Sequence, residues 1–247
     1  MAHQAYIREV SGSDTVVLCI HGILGTPDQF LPLIPYIPKD YSVYNILLDG
    51  HGREVSDFSR SSMTKWKIQV QRTLTYLSGR YAKIIIMAHS MGTLFALQAA
   101  AAGNKKIKAL FLIDTPLVPM LRPKCILNSL KVIWERIPEN DIYSKAELAS
   151  YSIRPNKKVW LYLGWVPRYL ELFYEIGITR KCIPEIKIPC RVFLSQRDEL
   201  VSLRSYRYLK GNRHIKVSLL EGATHFYFTD KHNLTMRKAL ENICRKI

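Results

Sequence analysis

The sequence predicts an α/β architecture: a mostly parallel central sheet with helices on both faces and a helical insertion over one end. Three observations carry this. Short, near-continuous apolar runs alternate with longer amphipathic or Ala-rich stretches, the pattern of strands buried on both faces and joined by helices. The alternation breaks once, over residues 115–189, where helical periodicity continues without a strand. The 247 residues are 48% hydrophobic and 23% charged, with 12 Gly and 12 Pro. That is the composition of a globular chain with a sizeable core, and it excludes disordered, collagenous and coiled-coil classes.

The elements follow in order. MAHQAYIREV opens as a strand and lacks the apolar core of a signal peptide, so export is not expected. Residues 15–20 (TVVLCI) form a short apolar run stopped by a Gly-containing turn, a buried strand. Residues 42–48 (SVYNILL) form another. Residues 63–80 carry Trp66, Val70, Leu74 and Leu77 at helical spacing. Residues 83–88 (KIIIMA) are a continuous β-branched strand, and 91–103 an Ala-rich helix ending at a glycine. Residues 108–114 (KALFLID) make the next strand. Within 115–189, residues 126–137 have helical periodicity. Strands return at 191–195 (RVFLS) and 216–220 (KVSLL), and a final helix starts near Asp230, which serves as its N-cap. Residues 1–114 and 190–247 thus form the core, and 115–189 a cap. Ligands of open parallel sheets bind at the carboxyl ends of strands. An insertion that leaves and re-enters at that end covers the site.

Charge is the unusual quantity. Thirty-six Lys and Arg stand against 20 Asp and Glu, a net +16. Residues 1–114 hold 12 basic and 8 acidic groups, residues 115–189 hold 12 and 7, and residues 190–247 hold 12 and 5. The excess tilts toward the C-terminal third. A basic solvated surface explains most of it, and attraction to anionic lipid, nucleic acid or acidic substrates is the sharper reading. No basic-aromatic module points to a specific nucleic-acid partner. No apolar run reaches the roughly 18–20 residues of a membrane span. The five cysteines (Cys19, Cys125, Cys182, Cys190, Cys244) are scattered, without CxxC or Cys/His spacing. Neither a disulfide framework nor a metal site is expected, no cofactor is implied, and a reduced, cytoplasmic protein is the simplest reading.

The chemistry concentrates in a few loops. Ala88-His89-Ser90-Met91-Gly92 joins a strand to a helix, as a nucleophile elbow requires. Small neighbours let strand and helix approach while the turn lifts Ser90. The usual motif begins with Gly, and here Ala88 takes that place. A serine that merely N-caps a helix fits the pentapeptide alone. A serine needs a base, however. His225, in Glu221-Gly222-Ala223-Thr224-His225-Phe226 after the last strand, lies where one is expected. His3, His214 and His232 sit outside the expected loops, and His21, His51 and His89 lie in turns where they serve backbone hydrogen bonds. Two acids end neighbouring strands. Asp198, in Ser195-Gln196-Arg197-Asp198-Glu199-Leu200-Val201, is preferred for holding the His225 tautomer. Asp114, before Thr115-Pro116, orders the chain as it enters the cap, and Glu199 points elsewhere. After the first long strand, His21-Gly22-Ile23-Leu24-Gly25 offers the Ile23 N–H which, with that of Met91, makes an oxyanion hole.

HGILGTP at 21–27, LDGHG at 48–52, AHSMGT at 88–93, SQRDELV at 195–201 and EGATHF at 221–226 occur in this order. With them the chain resembles α/β-hydrolases, in particular bacterial carboxylesterases and monoacylglycerol-lipase-like proteins. The resemblance runs from Thr15 to the last helix and implies the α/β-hydrolase fold and ester hydrolysis through an acyl-enzyme. It leaves the cap unmatched and gives no catalytic role to Asp49, His51 or Gly52. Ser90 at the elbow argues against dehalogenase and epoxide hydrolase chemistry, where Asp attacks. Thioesterase, amidase, C–C hydrolase and acyltransferase chemistry use the same triad, and a non-catalytic binding protein is the alternative of another class.

Residues 151–174 hold seven aromatics, among them Trp160 and Trp165, with Lys157, Lys158 and Arg168 nearby. Part of this bulk packs the cap onto the sheet. The rest is expected to line an acyl pocket for a small ester, an acyl ester or monoacylglycerol. The Trp and Lys residues are also expected to make weak contact with anionic membrane surfaces.

Overall fold

A computed structural model describes residues 3–247. Met1 and Ala2, the first residues of the stretch read as an opening strand, lie outside the described residues. Seven strands form one sheet: β1 (Tyr6–Arg8), β2 (Thr15–Ile20), β3 (Ser42–Ile46), β4 (Lys83–His89), β5 (Ile107–Ile113), β6 (Cys190–Ser195) and β7 (Ile215–Leu220). Their order is β1-β3-β2-β4-β5-β6-β7. Only β1 runs antiparallel, against β3. The helices are α1 (Val55–Arg60), α2 (Met63–Arg80), α3 (Met91–Ala101), α4 (Pro123–Ile133), α5 (Ile142–Ser150), α6 (Val166–Cys182), α7 (Tyr206–Leu209) and α8 (Asp230–Cys244).

Every residue of β2 is buried, because the sheet is covered on both sides. The strand period of two divides its side chains between two cores. Val16, Leu18 and Ile20 join Ile84 and Ile86 in a core with Trp66, Val70 and Leu77 of α2 and Leu94 and Leu97 of α3. Val17 and Cys19 join Ile85, Met87, Phe111 and Phe193 in a second core closed by Met236 and Leu240 of α8.

Between β5 and β6 the chain runs through α4, α5, a 3₁₀ segment (Val159–Trp165) and α6. It leaves at the carboxyl end of β5, as expected, but returns at the opposite end of the sheet. β5 and β6 are parallel, so the connection must cross over. The far half of α6 makes that crossover. Gln98 of α3 donates to Glu175 Oε2 at 2.7 Å and to Thr179 Oγ1 at 2.8 Å, and Ile176 and Ile183 join the first core. Residues 115–189 therefore contain a crossover helix of the sheet in addition to α4, α5 and the 3₁₀ segment.

Other departures are local. The helix read at 126–137 is α4, shifted upstream. Pro123 occupies its first turn, where a missing N–H costs nothing, and Glu135, at φ 54°, turns the chain away. The last helix is capped by Thr229 rather than Asp230, with the His232 side chain reaching back to the Thr229 N–H.

Candidate active site

Ser90 sits between β4 and α3 at φ 49° and ψ −124°. This region is costly for a residue with a Cβ. Two bonds hold it there: Ser90 N–H donates to Ile113 O at 2.9 Å, and Thr93 N–H donates to Ser90 O at 2.9 Å. The neighbours are small for a measurable reason. A Cβ on Gly92 would lie 2.3 Å from Ile20 O, and one on Gly22 would lie 2.9 Å from Ser90 Cβ. Ala88 is fully buried, so its methyl is accommodated where the usual motif has glycine.

Three loops bring Ser90, His225 and Asp198 together. His225 Nε2 lies 3.1 Å from Ser90 Oγ. His225 Nδ1 lies 2.8 Å from Asp198 Oδ2. The other carboxylate oxygen, Asp198 Oδ1, accepts from the N–H groups of Leu200 and Val201, each at 2.7 Å. The carboxylate is thus fixed by its own loop and presents one oxygen to the imidazole. All three residues are buried. Burial alone lowers the affinity of His225 for a proton, but the charge and hydrogen bond of Asp198 outweigh it and raise the pKa to about 9. An imidazole held in this way can take a proton from the hydroxyl while the carboxylate steadies the resulting cation.

Two expectations are corrected here. Asp114, in the left-handed region at φ 50°, turns its side chain to β6 rather than into the chain that follows it. Its oxygens accept from Ser195 N–H at 2.6 Å and Ser195 Oγ–H at 2.9 Å, tying the end of β5 to the end of β6. Burial, with the neighbouring Asp198 charge, pushes its pKa well above the carboxylate range. Glu199 does not point elsewhere. Its Oε2 accepts from the His225 N–H at 3.1 Å and anchors the loop that carries the imidazole. Only adjacency to Asp198 signalled this in the sequence.

The histidines in turns divide. His21 donates from Nδ1 to Gly22 O at 2.8 Å and accepts from Leu48 N–H at Nε2, 3.0 Å away. His51 meets Asp49 O at 3.2 Å. His89 departs from the expectation. Its ring nitrogens are buried without a hydrogen-bond partner among the described residues, and its ring lies 4.8 Å from that of His225. Burial and the neighbouring His225 hold it well below the usual imidazole range, so it stays neutral beside a protonatable ring. His89, Asp114 and His225 have donor atoms within 4.8 Å of one another. Asp114 and His225 already bond to Ser195 and Asp198.

The loop after β2 turns tightly, with Gly25 N–H donating to Gly22 O at 3.0 Å. That bond does not use the Ile23 N–H. Met91 is the first residue of α3, so its N–H has no partner within the helix. Leu24 O accepts from Ser152 N–H at 2.8 Å, which clamps the loop to the segment after α5. One cavity lies against the loop after β2, and another reaches His225. The first, of about 150 Å³, is lined by Leu24, Tyr151, Tyr162, Trp165 and Tyr169. The second, of about 390 Å³, is lined by His225, His89, Gln29, Phe30 and Phe226 among others. Trp165 donates to Val55 O at 3.2 Å while facing the first cavity. Trp160 lines neither and is 62% exposed.

A family model described as "Alpha/beta hydrolase family" matches residues 17–235. No curated protein matches the chain. Solved structures with the same fold include a metagenome-derived lipolytic enzyme described with LipS and LipT, 19% identical with a TM-score of 0.72, covering 100% of this chain and 98% of that one. The monoacylglycerol lipase of Paleococcus ferrophilus is 17% identical with a TM-score of 0.70, and each chain is fully covered. A thioesterase domain from the curacin biosynthetic pathway is 18% identical with a TM-score of 0.60, again with full coverage of both.

Proposed function

The chain belongs to the alpha/beta hydrolase family, and from that membership we propose that it is a serine hydrolase that cleaves carboxylic esters through an acyl-enzyme. The observation that carries this reading is the hydrogen-bonded line from Asp198 through His225 to a strained, buried Ser90. In the proposed reaction Ser90 Oγ attacks the ester carbonyl carbon and its proton passes to His225 Nε2. The carbonyl oxygen becomes an oxyanion that accepts from the Ile23 and Met91 N–H groups. Each such donor contributes roughly 3 kcal/mol in the transition state. The carbon–oxygen bond then breaks, and His225 returns the proton to the leaving alkoxide. Water, deprotonated by His225, attacks the acyl carbon and frees Ser90.

The cavity beside Leu24 is the proposed acyl pocket, with Trp165 and Tyr169 as its apolar wall. Each methylene buried there adds about 0.8 kcal/mol. A p-nitrophenyl ester series from acetyl to octanoyl tests this. The specificity constant is expected to rise until the pocket fills, and Trp165→Ala to flatten the rise. A flat profile in the wild type would overturn the acyl pocket. Thioester and amide analogues of the best acyl group separate esterase from thioesterase or amidase action.

A second observation favours contact with an anionic membrane surface. Trp160, Leu163, Val166, Leu170, Phe173 and Tyr174 are each at least half exposed. Their spacings of three and four residues place them along one side of the 3₁₀ segment and α6. Exposed Lys157 and Lys158 precede the stripe. Among the described residues no helix is long and apolar enough to cross a membrane, so contact would be with a surface. Co-sedimentation with phosphatidylglycerol vesicles at low salt is expected, and Leu163→Ser with Leu170→Ser should abolish it. Equal recovery of wild type and variant with vesicles would contradict the contact.

A further inference from the structure

We propose that a basic cleft at the end of the sheet away from Ser90 binds a compact oligophosphate, an anion of two or more linked phosphate groups without a need for a base. Ser90 follows the last residue of β4, and Lys83 is its first residue. The cleft therefore lies roughly 20 Å from the hydrolase site by strand rise. Its volume is about 800 Å³.

The sheet builds one wall. Arg191 and Lys216 are register partners on β6 and β7, so they stand side by side on one face. Lys83 and Lys108 stand at the starts of β4 and β5, and Arg213 lies just before β7. The other wall is α8, which turns Lys238 and Asn242 toward the cleft one four-residue helical step apart, with Lys246 just beyond its end. Seven Lys and Arg line this concavity and no Asp or Glu side chain does. Lys83 meets Asp14 at 3.2 Å. Among the described residues none of the other six has a carboxylate within 4.0 Å. Five of the seven belong to the C-terminal third, where the sequence concentrates its positive excess.

A merely solvated basic face does not account for this arrangement. Arg191 is held in place: its guanidinium donates to Ser218 Oγ at 2.7 Å and lies 5.4 Å from the Phe193 ring. Its Nε is buried without a partner among the described residues. Lys246 also answers the partial negative charge at the carbonyl end of α8. The strand starts carry no comparable charge, so Lys108, Arg191, Arg213 and Lys216 have no such explanation. Seven like charges repel one another, and a multiply charged anion relieves that repulsion. A single phosphate supplies too little charge. The lining holds His214 but no Phe, Tyr or Trp, so it lacks the row of large aromatic platforms on which single-stranded nucleic acid stacks successive bases. Its concavity fits a compact anion better than a flat bilayer.

Titration calorimetry with tripolyphosphate, ATP, a single-stranded DNA oligomer and phosphatidylglycerol vesicles tests the proposal, with sulfate at matched ionic strength as the control. Tripolyphosphate is expected to bind, and ATP to bind about equally. Lys216→Ala with Lys238→Ala should weaken tripolyphosphate about tenfold or more, since each removes a charge-assisted contact. The same double variant should keep its ester hydrolysis, its fluorophosphonate labelling and its vesicle binding, which shows that the fold is intact. Tripolyphosphate binding no tighter than sulfate, or unchanged in the double variant, would overturn the proposal. So would DNA or vesicle binding that alone depends on Lys216 and Lys238. The proposal does not depend on Ser90 chemistry, and the two fail separately.

Discussion

Ser90 holds a backbone conformation that a serine adopts only under constraint, and the constraint comes from the Ile113 carbonyl and the glycines at 22 and 92. Ser90→Ala keeps the backbone and removes only the hydroxyl, so it should abolish hydrolysis by several orders of magnitude with an unchanged melting temperature. More than a few per cent of residual activity in purified protein would remove Ser90 from the mechanism. Asp198→Asn should cost far more than Asp114→Asn. The first leaves an amide NH2 facing Nδ1, because the other oxygen is held by the Leu200 and Val201 N–H groups, and so favours the wrong tautomer, whereas an amide at 114 still meets Ser195. Comparable losses in kcat/KM would move the acid to β5. The imidazole must be neutral to accept the Ser90 proton. With its pKa raised to about 9, kcat/KM should still be rising above neutral pH rather than levelling just beyond 6.5. Asp198→Asn removes the charge that favours the imidazolium, so the half-point should move down. A wild-type half-point at or below 6.5, or one unmoved in the variant, would contradict the assigned electrostatics. That Ser90, His225 and Asp198 meet was legible in the sequence because their loops have a fixed order after strands. Glu199 and His89 were not, because their roles depend on which way a side chain turns within a loop, and no spacing encodes that.

At the level of elements, apolar runs located the interior strands because both faces of the sheet are covered, and their limits agree within two residues. The polar alternation of an amphipathic helix located α2 equally well. The short helices α1 and α7 left no period long enough to read. The crossover role of α6 was hidden for a different reason: its buried Glu175 and Thr179 look like a solvated face until Gln98 of α3 is placed opposite them. At Gly92, α3 approaches the end of β2 too closely for a side chain. Gly92→Ala would press a methyl against Ile20 O, and backbone cannot yield as a side chain can. A loss of about 1–3 kcal/mol is expected, read as a lower urea midpoint with an unchanged slope. An unchanged midpoint would mean that the chain there can yield to the methyl that would lie 2.3 Å from Ile20 O.

Across the whole molecule, the parallel sheet separates two kinds of chemistry. Its carboxyl end gathers the loops with Ser90, Asp198 and His225, and its amino end gathers positive charge against α8. Composition announced the charge but not its place, because Lys83, Lys108, Arg191 and Lys216 meet only when four strands align. The two ends can therefore be tested independently. For the central claim, that Ser90 is a nucleophile activated by His225, the most direct measurement is mass mapping of the chain after a fluorophosphonate probe. A single adduct on the peptide carrying Ser90 is predicted, formed rapidly in the wild type, strongly slowed in His225→Ala and absent in Ser90→Ala. An unlabelled wild type, or an adduct on another residue that persists in Ser90→Ala, would contradict it.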